Sequence, residues 1–219
     1  MKSILKSNSS FLLPFSVFLL IGAIALLANS KTDLHLLINS FHNRYLDIFF
    51  YYTTYLGDGV VAILTIIILL VVKYRYALLV GMSYVVSSMF TQLLKHTLFE
   101  DVVRPKKFFE GIHDLYFVSG TENHLYNSFP SGHATTAFAL YFSLALIVKN
   151  NTLKFFLFVI ALLVGFSRIY LSQHFLSDVY AGAVIGVFIT FISYGVIQNS
   201  KAQWLDRSLV ISINSGDKG

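Results

Sequence analysis

The chain has 219 residues, of which 56% are hydrophobic and only 12% are charged, and its mean hydropathy is +0.69. This composition is too apolar for an ordinary soluble domain, and the absence of cysteine excludes disulfides, thiolate zinc sites and cysteine nucleophiles. The formal charge of +5 comes from basic residues scattered among short connections, so membrane topology explains it better than a nucleic-acid partner does.

Apolar segments long enough to cross about 30 Å of hydrocarbon as helices recur along the chain. The predicted spans are about Phe11–Asn29, Phe49–Val72, Tyr76–Leu94, Ser131–Val148, Lys154–Leu171 and Asp178–Ile197. Because only helices and closed barrels satisfy their backbone groups in lipid, we predict an all-α, polytopic membrane bundle of six transmembrane helices. An extended outer loop joins helices three and four. Residues 1–219 form a single membrane-embedded domain, with a polar C-terminal tail from about 199 to 219.

Lysine and arginine residues in the connections predict that both termini lie inside. The inner segments then hold nine of the sixteen basic residues and the outer segments hold seven. Three of the outer seven, Lys95, Arg104 and Arg168, belong to the candidate site described below. Discounting them leaves nine against four and strengthens the predicted orientation.

The long third connection leads into the sequence NSFPSGHATTAF at Asn127–Phe138. Ser131 can simply cap the following helix, since its hydroxyl can accept a hydrogen bond from a free backbone N–H. Pro130 and Gly132 suggest more, because an exposed helix N-terminus binds anions and glycine lets an anion approach the backbone closely. His133 then stands where a general acid is needed.

A second motif, SRIYLSQHFLSD, joins the last two predicted spans. If His174 lies in the first turn of the sixth span, Asp178 lies four residues later on the same helical face. A carboxylate there fixes the imidazole tautomer and leaves the other nitrogen free to act as a nucleophile. Arg168 offers a planar fork of donors to a phosphate.

The predicted topology brings these motifs to one membrane surface, together with Lys95 and Arg104. Such a set suits phosphoryl transfer without a metal: cations and backbone amides neutralise charge, His174 attacks and His133 donates a proton. We predict no metal and no cofactor, because the acidic residues and histidines lack the spacing of a metal site.

These residues resemble the pattern of the type 2 phosphatidic acid phosphatase superfamily, which includes integral membrane lipid phosphatases and shares its site with vanadium haloperoxidases. The Pro-Ser-Gly-His block and the Ser-Arg, His, Asp block match without a gap. The resemblance implies a phosphohistidine at His174, oriented by Asp178, with His133 as the acid. By the same resemblance, the phosphate is held by Lys95, Arg104, Ser131, Gly132 and Arg168.

The first block departs from the family pattern, which usually has six residues between Lys and Arg-Pro. Here Lys95 and Arg104 enclose eight, and nine positions on a regular helix would place the two side chains about half a turn apart. We therefore expect the helix to end near Phe99, since Pro105 disfavours helix at Arg104. Lys106 and Lys107 are the alternative clamps.

The predicted function is hydrolysis of a lipid phosphate at the outer face of a membrane, most simply a bacterial inner membrane. The resemblance points to phosphatidylglycerol phosphate, undecaprenyl diphosphate, phosphatidic acid or lipid A phosphate, and the residues do not choose among them. A phosphotransferase with the same intermediate remains an alternative. So does a non-enzymatic transporter or assembly factor, although ionisable residues at mid-span are largely missing. The partners are the lipid substrate and the bilayer, and the oligomeric state stays open.

Several polar and aromatic residues are left outside this site. Asp58 either lies at the outer end of the second span or pairs with a site cation. Trp204 and Arg207 suggest docking of the tail at the inner surface. The histidines predicted to be solvated are His35, His42, His96, His113 and His124. An aromatic belt, or a flap over a headgroup, is predicted for Phe108, Phe109, Tyr116 and Phe117.

Overall fold

A computed structural model describes residues 2–210, and within them the chain is helical with no strand. The last part of the predicted tail, residues 211–219, lies outside the described residues. The α-helices, numbered in chain order, are α1 Lys2–Ser7, α2 Ser9–Ala28, α3 Lys31–Ser40, α4 Arg44–Thr53, α5 Gly59–Val72, α6 Tyr74–Thr97, α7 Pro105–Phe108, α8 Gly132–Ile147, α9 Asn151–Tyr170 and α10 Leu176–Asn199. Two short 3₁₀ helices cover Thr54–Gly57 and Gln203–Asp206.

Four helices, α2, α6, α9 and α10, are long and apolar enough to cross a membrane. The chain from Arg44 to Val72 makes a fifth candidate span if its two bent halves are counted together. Helix α8 has 16 residues and is shorter than these candidates. The all-helical membrane architecture is confirmed, whereas the count of six spans stays a prediction.

The second predicted span is not one straight helix, and this part of the prediction was wrong. Its two halves meet at Asp58 at an angle of 52°. Asp58 has extended backbone geometry and its Oδ1 accepts a hydrogen bond from the N–H of Val60 at 3.0 Å, which starts α5 anew. A Cβ on the preceding Gly57 would lie 2.4 Å from Val164, so only glycine permits this close approach to α9.

Helix α8 lies at the centre of the bundle and packs against α6, α9 and α10. Its side chains Phe138, Leu140 and Phe142 are fully buried. Glycines on α10 bring the two helix backbones close together, because a Cβ on Gly182 would lie 2.6 Å from the carbonyl oxygen of Ser131. This packing fixes the first turn of α8 against the first turns of α10.

The first outer connection contains a helix, α3, that the sequence analysis did not predict. It carries His35, which is 1% exposed, stacks on Phe109 and meets Phe175 edge-on. The prediction of a solvated His35 was therefore wrong. Phe109 is buried by the same contacts and does not belong to an interfacial belt or flap.

The segment after α10 folds back onto the start of α6. Asp206 pairs with Lys73 at 2.8 Å and with Arg75 at 3.0 Å, and these partners lower the pKa of its carboxyl. The carbonyl of Arg207 accepts a hydrogen bond from the N–H of Tyr74. The chain as far as Arg207 is thus held at the end of the bundle opposite to Lys95.

Candidate active site

A cavity of about 450 Å³ opens at the end of the bundle where α6 ends and α8 begins. Six of the eight predicted site residues line it: Lys95, Arg104, Gly132, His133, Arg168 and His174. The other two, Ser131 and Asp178, lie directly behind this lining, and the N–H of Ser131 donates to the carbonyl of Asp178 at 2.9 Å. The fold therefore brings all three sequence motifs to one place.

His174 and Asp178 form a buried pair at the start of α10. His174 precedes the helix, which begins at Leu176, and so does not lie in its first turn. The separation from Asp178 nevertheless holds the two side chains together, with Nδ1 of His174 3.3 Å from Oδ2 of Asp178. That oxygen also accepts hydrogen bonds from the Ser128 hydroxyl at 2.6 Å and from the N–H of Phe175 at 3.0 Å.

The environment of His174 favours its neutral form. The side chain is 2% exposed, and burial lowers its pKa to about 3 even though the hydrogen bond to Asp178 acts in the opposite direction. With its Nδ1–H directed at Asp178, the neutral ring carries its lone pair on Nε2. Nε2 makes no hydrogen bond to any residue between 2 and 210, and the ring borders the cavity.

The first turn of α8 offers backbone donors to the same cavity. Ser131 caps the helix, as its hydroxyl accepts from the N–H of Ala134 at 3.5 Å. A Cβ on Gly132 would meet no heavy atom within 4 Å, so open space lies beside this backbone. The capping role of Ser131 is confirmed, and the anion-binding role stays a prediction that the open space is compatible with, since free N–H groups at a helix start attract anions.

Three buried cations surround the cavity, and carbonyl or hydroxyl oxygens hold them in place. Nζ of Lys95 donates to the carbonyl of Asn127 at 2.7 Å. Nε of Arg104 donates to the carbonyl of Tyr126 at 2.9 Å, and Nη1 of Arg168 donates to the hydroxyl of Thr54 at 2.6 Å.

The three cations have no ion-pair partner among residues 2–210, although the carboxylates of Asp178 and Asp58 act on them from a distance. All three are at most 8% exposed, and none forms an ion pair with a carboxylate in the described part of the chain. Nε of Arg168 is buried without any hydrogen-bond partner there. Burial also lowers the pKa of the Arg104 guanidinium. Buried charges without a partner are costly, so the site is built to receive an anion.

The unusual spacing of Lys95 and Arg104 is resolved by the end of α6. The helix stops at Thr97, close to the predicted end near Phe99. The two side chains meet at the carbonyl of Asn127, which accepts from Lys95 at 2.7 Å and from Nη2 of Arg104 at 3.4 Å. Lys107 pairs with the exposed Glu110, and neither Lys106 nor Lys107 lines this cavity.

Several supporting residues escaped the sequence analysis. Thr54 anchors Arg168, Ser128 anchors Asp178, and the carbonyl of Gln173 accepts from Nη1 of Arg104 at 3.2 Å. Ser128 lies inside the quoted motif, two residues before Pro130, and its polarity there was a usable signal. Nothing near Thr54 in the sequence indicates its partner, since the contact joins two distant helices.

Comparison with known proteins agrees with this geometry. The model of the PAP2 superfamily matches residues 76–202. The chain is 25% identical over 183 residues to the lipid A 4'-phosphatase of Porphyromonas gingivalis, covering 81% of this chain and 77% of that protein. It is 37% identical over 67 residues to undecaprenyl-diphosphatase BcrC of Bacillus subtilis, where the match covers 31% of this chain and spans about a third (34%) of BcrC.

A solved structure shares the fold. It is the first transmembrane PAP2 type phosphatidylglycerolphosphate phosphatase from Bacillus subtilis, with a TM-score of 0.64, 25% identity, and coverage of 91% of this chain and 99% of that one. Fold and site define the class of membrane lipid phosphatases, which are hydrolases acting on phosphate esters. The chain belongs to the PAP2 superfamily, as its motifs predicted.

Proposed function

We propose that this protein hydrolyses the phosphate headgroup of a membrane lipid through a phosphohistidine at His174. One observation carries the proposal: three buried cations, none of them in an ion pair within residues 2–210, border the cavity that His174 also borders. A tetrahedral phosphate bound among these cations would meet the free Nε2 lone pair. The three cations would neutralise the charge of the bound phosphate.

In the first step, Nε2 of His174 attacks phosphorus and the bond from phosphorus to the leaving oxygen breaks. His133 gives its proton to that oxygen, so the lipid leaves as an alcohol. Lys95, Arg104 and Arg168, with the backbone amides of α8, neutralise the charge on the remaining phosphate oxygens.

In the second step, water attacks phosphorus and the bond to Nε2 breaks. His133, which is now neutral, takes the proton that the water loses and returns to its starting state. His174 is released with its Nδ1–H still directed at Asp178. The products from a phosphomonoester are the lipid alcohol and inorganic phosphate, and with a diphosphate the leaving group is the lipid monophosphate in place of the alcohol.

The substrate in this proposal is an amphiphile whose tail stays in the bilayer while its headgroup enters the site. Helix directions support one reactive face, because α6 ends and α8 and α10 begin there. The basic residues support an outward orientation of that face in a bacterial inner membrane, with both termini in the cytoplasm. The alignment with a lipid A 4'-phosphatase over most of the chain makes lipid A phosphate the first candidate to assay. Undecaprenyl diphosphate, phosphatidylglycerol phosphate and phosphatidic acid complete the panel.

The test is an assay of the purified full chain in detergent, measuring inorganic phosphate released from each lipid, with and without a chelator. We expect His174→Ala to abolish release, and we expect the exposed His96→Ala to keep it. Activity in His174→Ala would refute the nucleophile, and loss of activity with chelator would refute the metal-free mechanism. With a substrate labelled in its phosphate, recovery of the label in an added alcohol instead of in free phosphate would identify a phosphotransferase.

A further inference from the structure

Asp58 is a carboxylate at the bend of the second span that the proposed mechanism does not use. It is half-buried, and its Oδ1 accepts a hydrogen bond from the N–H of Val60 at 3.0 Å. Its second oxygen, Oδ2, accepts no hydrogen bond from residues 2–210. Capping of α5 therefore accounts for only half of this side chain.

A second cavity, of about 220 Å³, separates Asp58 from the active site. Asp58 and His133 both line it, and the remaining polar lining comes from Tyr84, Ser88, Thr91, Gln92 and Thr136. Asp58 is the only acidic residue in this lining. The walls are polar and the volume exceeds that of a water molecule several times over, so water can bridge the two side chains.

His133 forms the partition between the two cavities. His133, Gly132 and Gln92 line both of them. The chain beside Asp58 also packs directly on α8, since a Cβ on Gly57 would lie 3.1 Å from the carbonyl oxygen of His133. His133 thus borders both the substrate cavity and the cavity of Asp58.

The acid step requires a positively charged His133, and the surroundings oppose that charge. Burial opposes the charge most, and Arg168, Arg104 and Lys95 add to it as like charges, whereas Asp58 is the opposite charge that acts on His133. Opposite charges favour the ionised form of a group and like charges disfavour it. Loss of Asp58 would therefore remove the opposite charge that favours the protonated form of the general acid.

We propose that Asp58 is a positioning residue for His133. The carboxylate of Asp58 acts across the second cavity and keeps the imidazole charged and oriented toward the leaving group. This inference rests on the proposed function, because it assigns Asp58 a part in the step that His133 carries out. It gives each of the two histidines its own carboxylate.

The test separates the charge of Asp58 from its capping bond. Asp58→Asn keeps the cap, since asparagine caps helices as well as aspartate does, but it removes the charge. Asp58→Glu keeps the charge. For each variant, kcat and KM are measured with an alkyl phosphate lipid and with p-nitrophenyl phosphate, whose leaving group departs without a proton.

We expect Asp58→Asn to lower kcat for the alkyl phosphate by about tenfold, a part of the general-acid contribution. The kcat for p-nitrophenyl phosphate and both KM values should stay near those of the wild type. Asp58→Glu should recover most of the lost rate. Thermal unfolding of both variants in detergent shows whether the fold is kept, and Asp58→Ser, which also caps without charge, replaces Asp58→Asn if that variant does not fold.

Equal rates for wild type and Asp58→Asn on the alkyl phosphate would overturn the inference, as would an equal loss on both substrates. His174→Ala, assayed beside them, distinguishes this failure from failure of the proposed function. If His174→Ala is inactive and Asp58→Asn is normal, only the role of Asp58 falls. If His174→Ala is active, the proposed function falls.

Discussion

Two histidines border one cavity, and the protein holds them in opposite ways. His174 is buried, and the Asp178 oxygen that it contacts is fixed by two further donors, Ser128 and the N–H of Phe175. His133 is half-buried and its side chain makes no hydrogen bond within residues 2–210. A nucleophile must keep one tautomer, whereas an acid and base must change protonation state twice in each turnover. The firm hydrogen bonding around His174 suits its proposed role as nucleophile, and the free side chain of His133 suits its proposed role as acid and base.

The largest effect should come from removing the firmly held histidine. His174→Ala is expected to lower turnover on the order of 10⁶-fold, as loss of a nucleophile does in other hydrolases. Brief incubation with ³²P-labelled substrate should give no acid-labile phosphoenzyme in this variant. Label that stays attached to the His174→Ala protein would place the intermediate on another residue.

Asp178→Asn tests whether the tautomer of His174 matters. The amide would offer an N–H toward Nδ1, which favours the tautomer that carries its proton on Nε2 and removes the attacking lone pair. We expect a loss of about 10⁴-fold in kcat with little change in KM. Thermal unfolding is the control, because Ser128 and the N–H of Phe175 lose a charged acceptor. A loss confined to KM would contradict the tautomer argument.

His133→Ala should have a smaller effect that depends on the leaving group. We expect a loss of about 10³-fold for an alkyl phosphate, within the usual range for general acid catalysis. An aryl phosphate with a good leaving group should be affected much less and should still label His174. Equal losses on both substrates would show that His133 binds phosphate instead of donating a proton.

The smallest effect concerns acid stability and a third histidine, His35. Burial lowers its pKa to about 4, while an unfolded chain has the ordinary value near 6.5. Its contribution to stability is therefore complete above pH 6.5 and is lost as the pH falls toward 4. Between pH 7 and 5 this amounts to about 2 kcal/mol.

His35→Phe keeps the ring between Phe109 and Phe175 but removes the titrating group. We expect its melting temperature in detergent to fall less between pH 7 and 5 than that of the wild type. The comparison uses only this difference between two pH values, because the lost hydrogen bond to Ser172 lowers stability at both. An unchanged fall would mean that His35 is not protonated on acid unfolding.

Much of the helical layout could be predicted from the sequence, because long apolar runs end at clear capping residues. Helix α8 starts one residue after the predicted Ser131, and α9 ends one residue before the predicted Leu171. The bend at Asp58 was missed, since Gly-Asp-Gly is equally compatible with the end of a span. The length of an apolar run predicts the length of a helical segment, but it does not predict whether the segment is straight or bent.

The grouping of the candidate site residues around one cavity could also be predicted, because the two complete motifs fix their spacing. The residues that hold them in place could not be predicted. Thr54 lies far from Arg168 in sequence, and the burial of His35 depends on α3 packing against the loop before α10. Such contacts arise from tertiary packing, and polarity along the chain does not reveal them.

The return of the chain after α10 has a practical consequence for handling this protein. Asp206 ties the last helical turn to Lys73 and Arg75 at the start of α6, and Arg75 also donates to the carbonyl of Ile197 at 2.7 Å. A purification tag fused beyond residue 210 leaves this clasp in place. A truncation at Ser200 would strip two basic side chains of their acidic partner and loosen the helix that carries Lys95 at its far end.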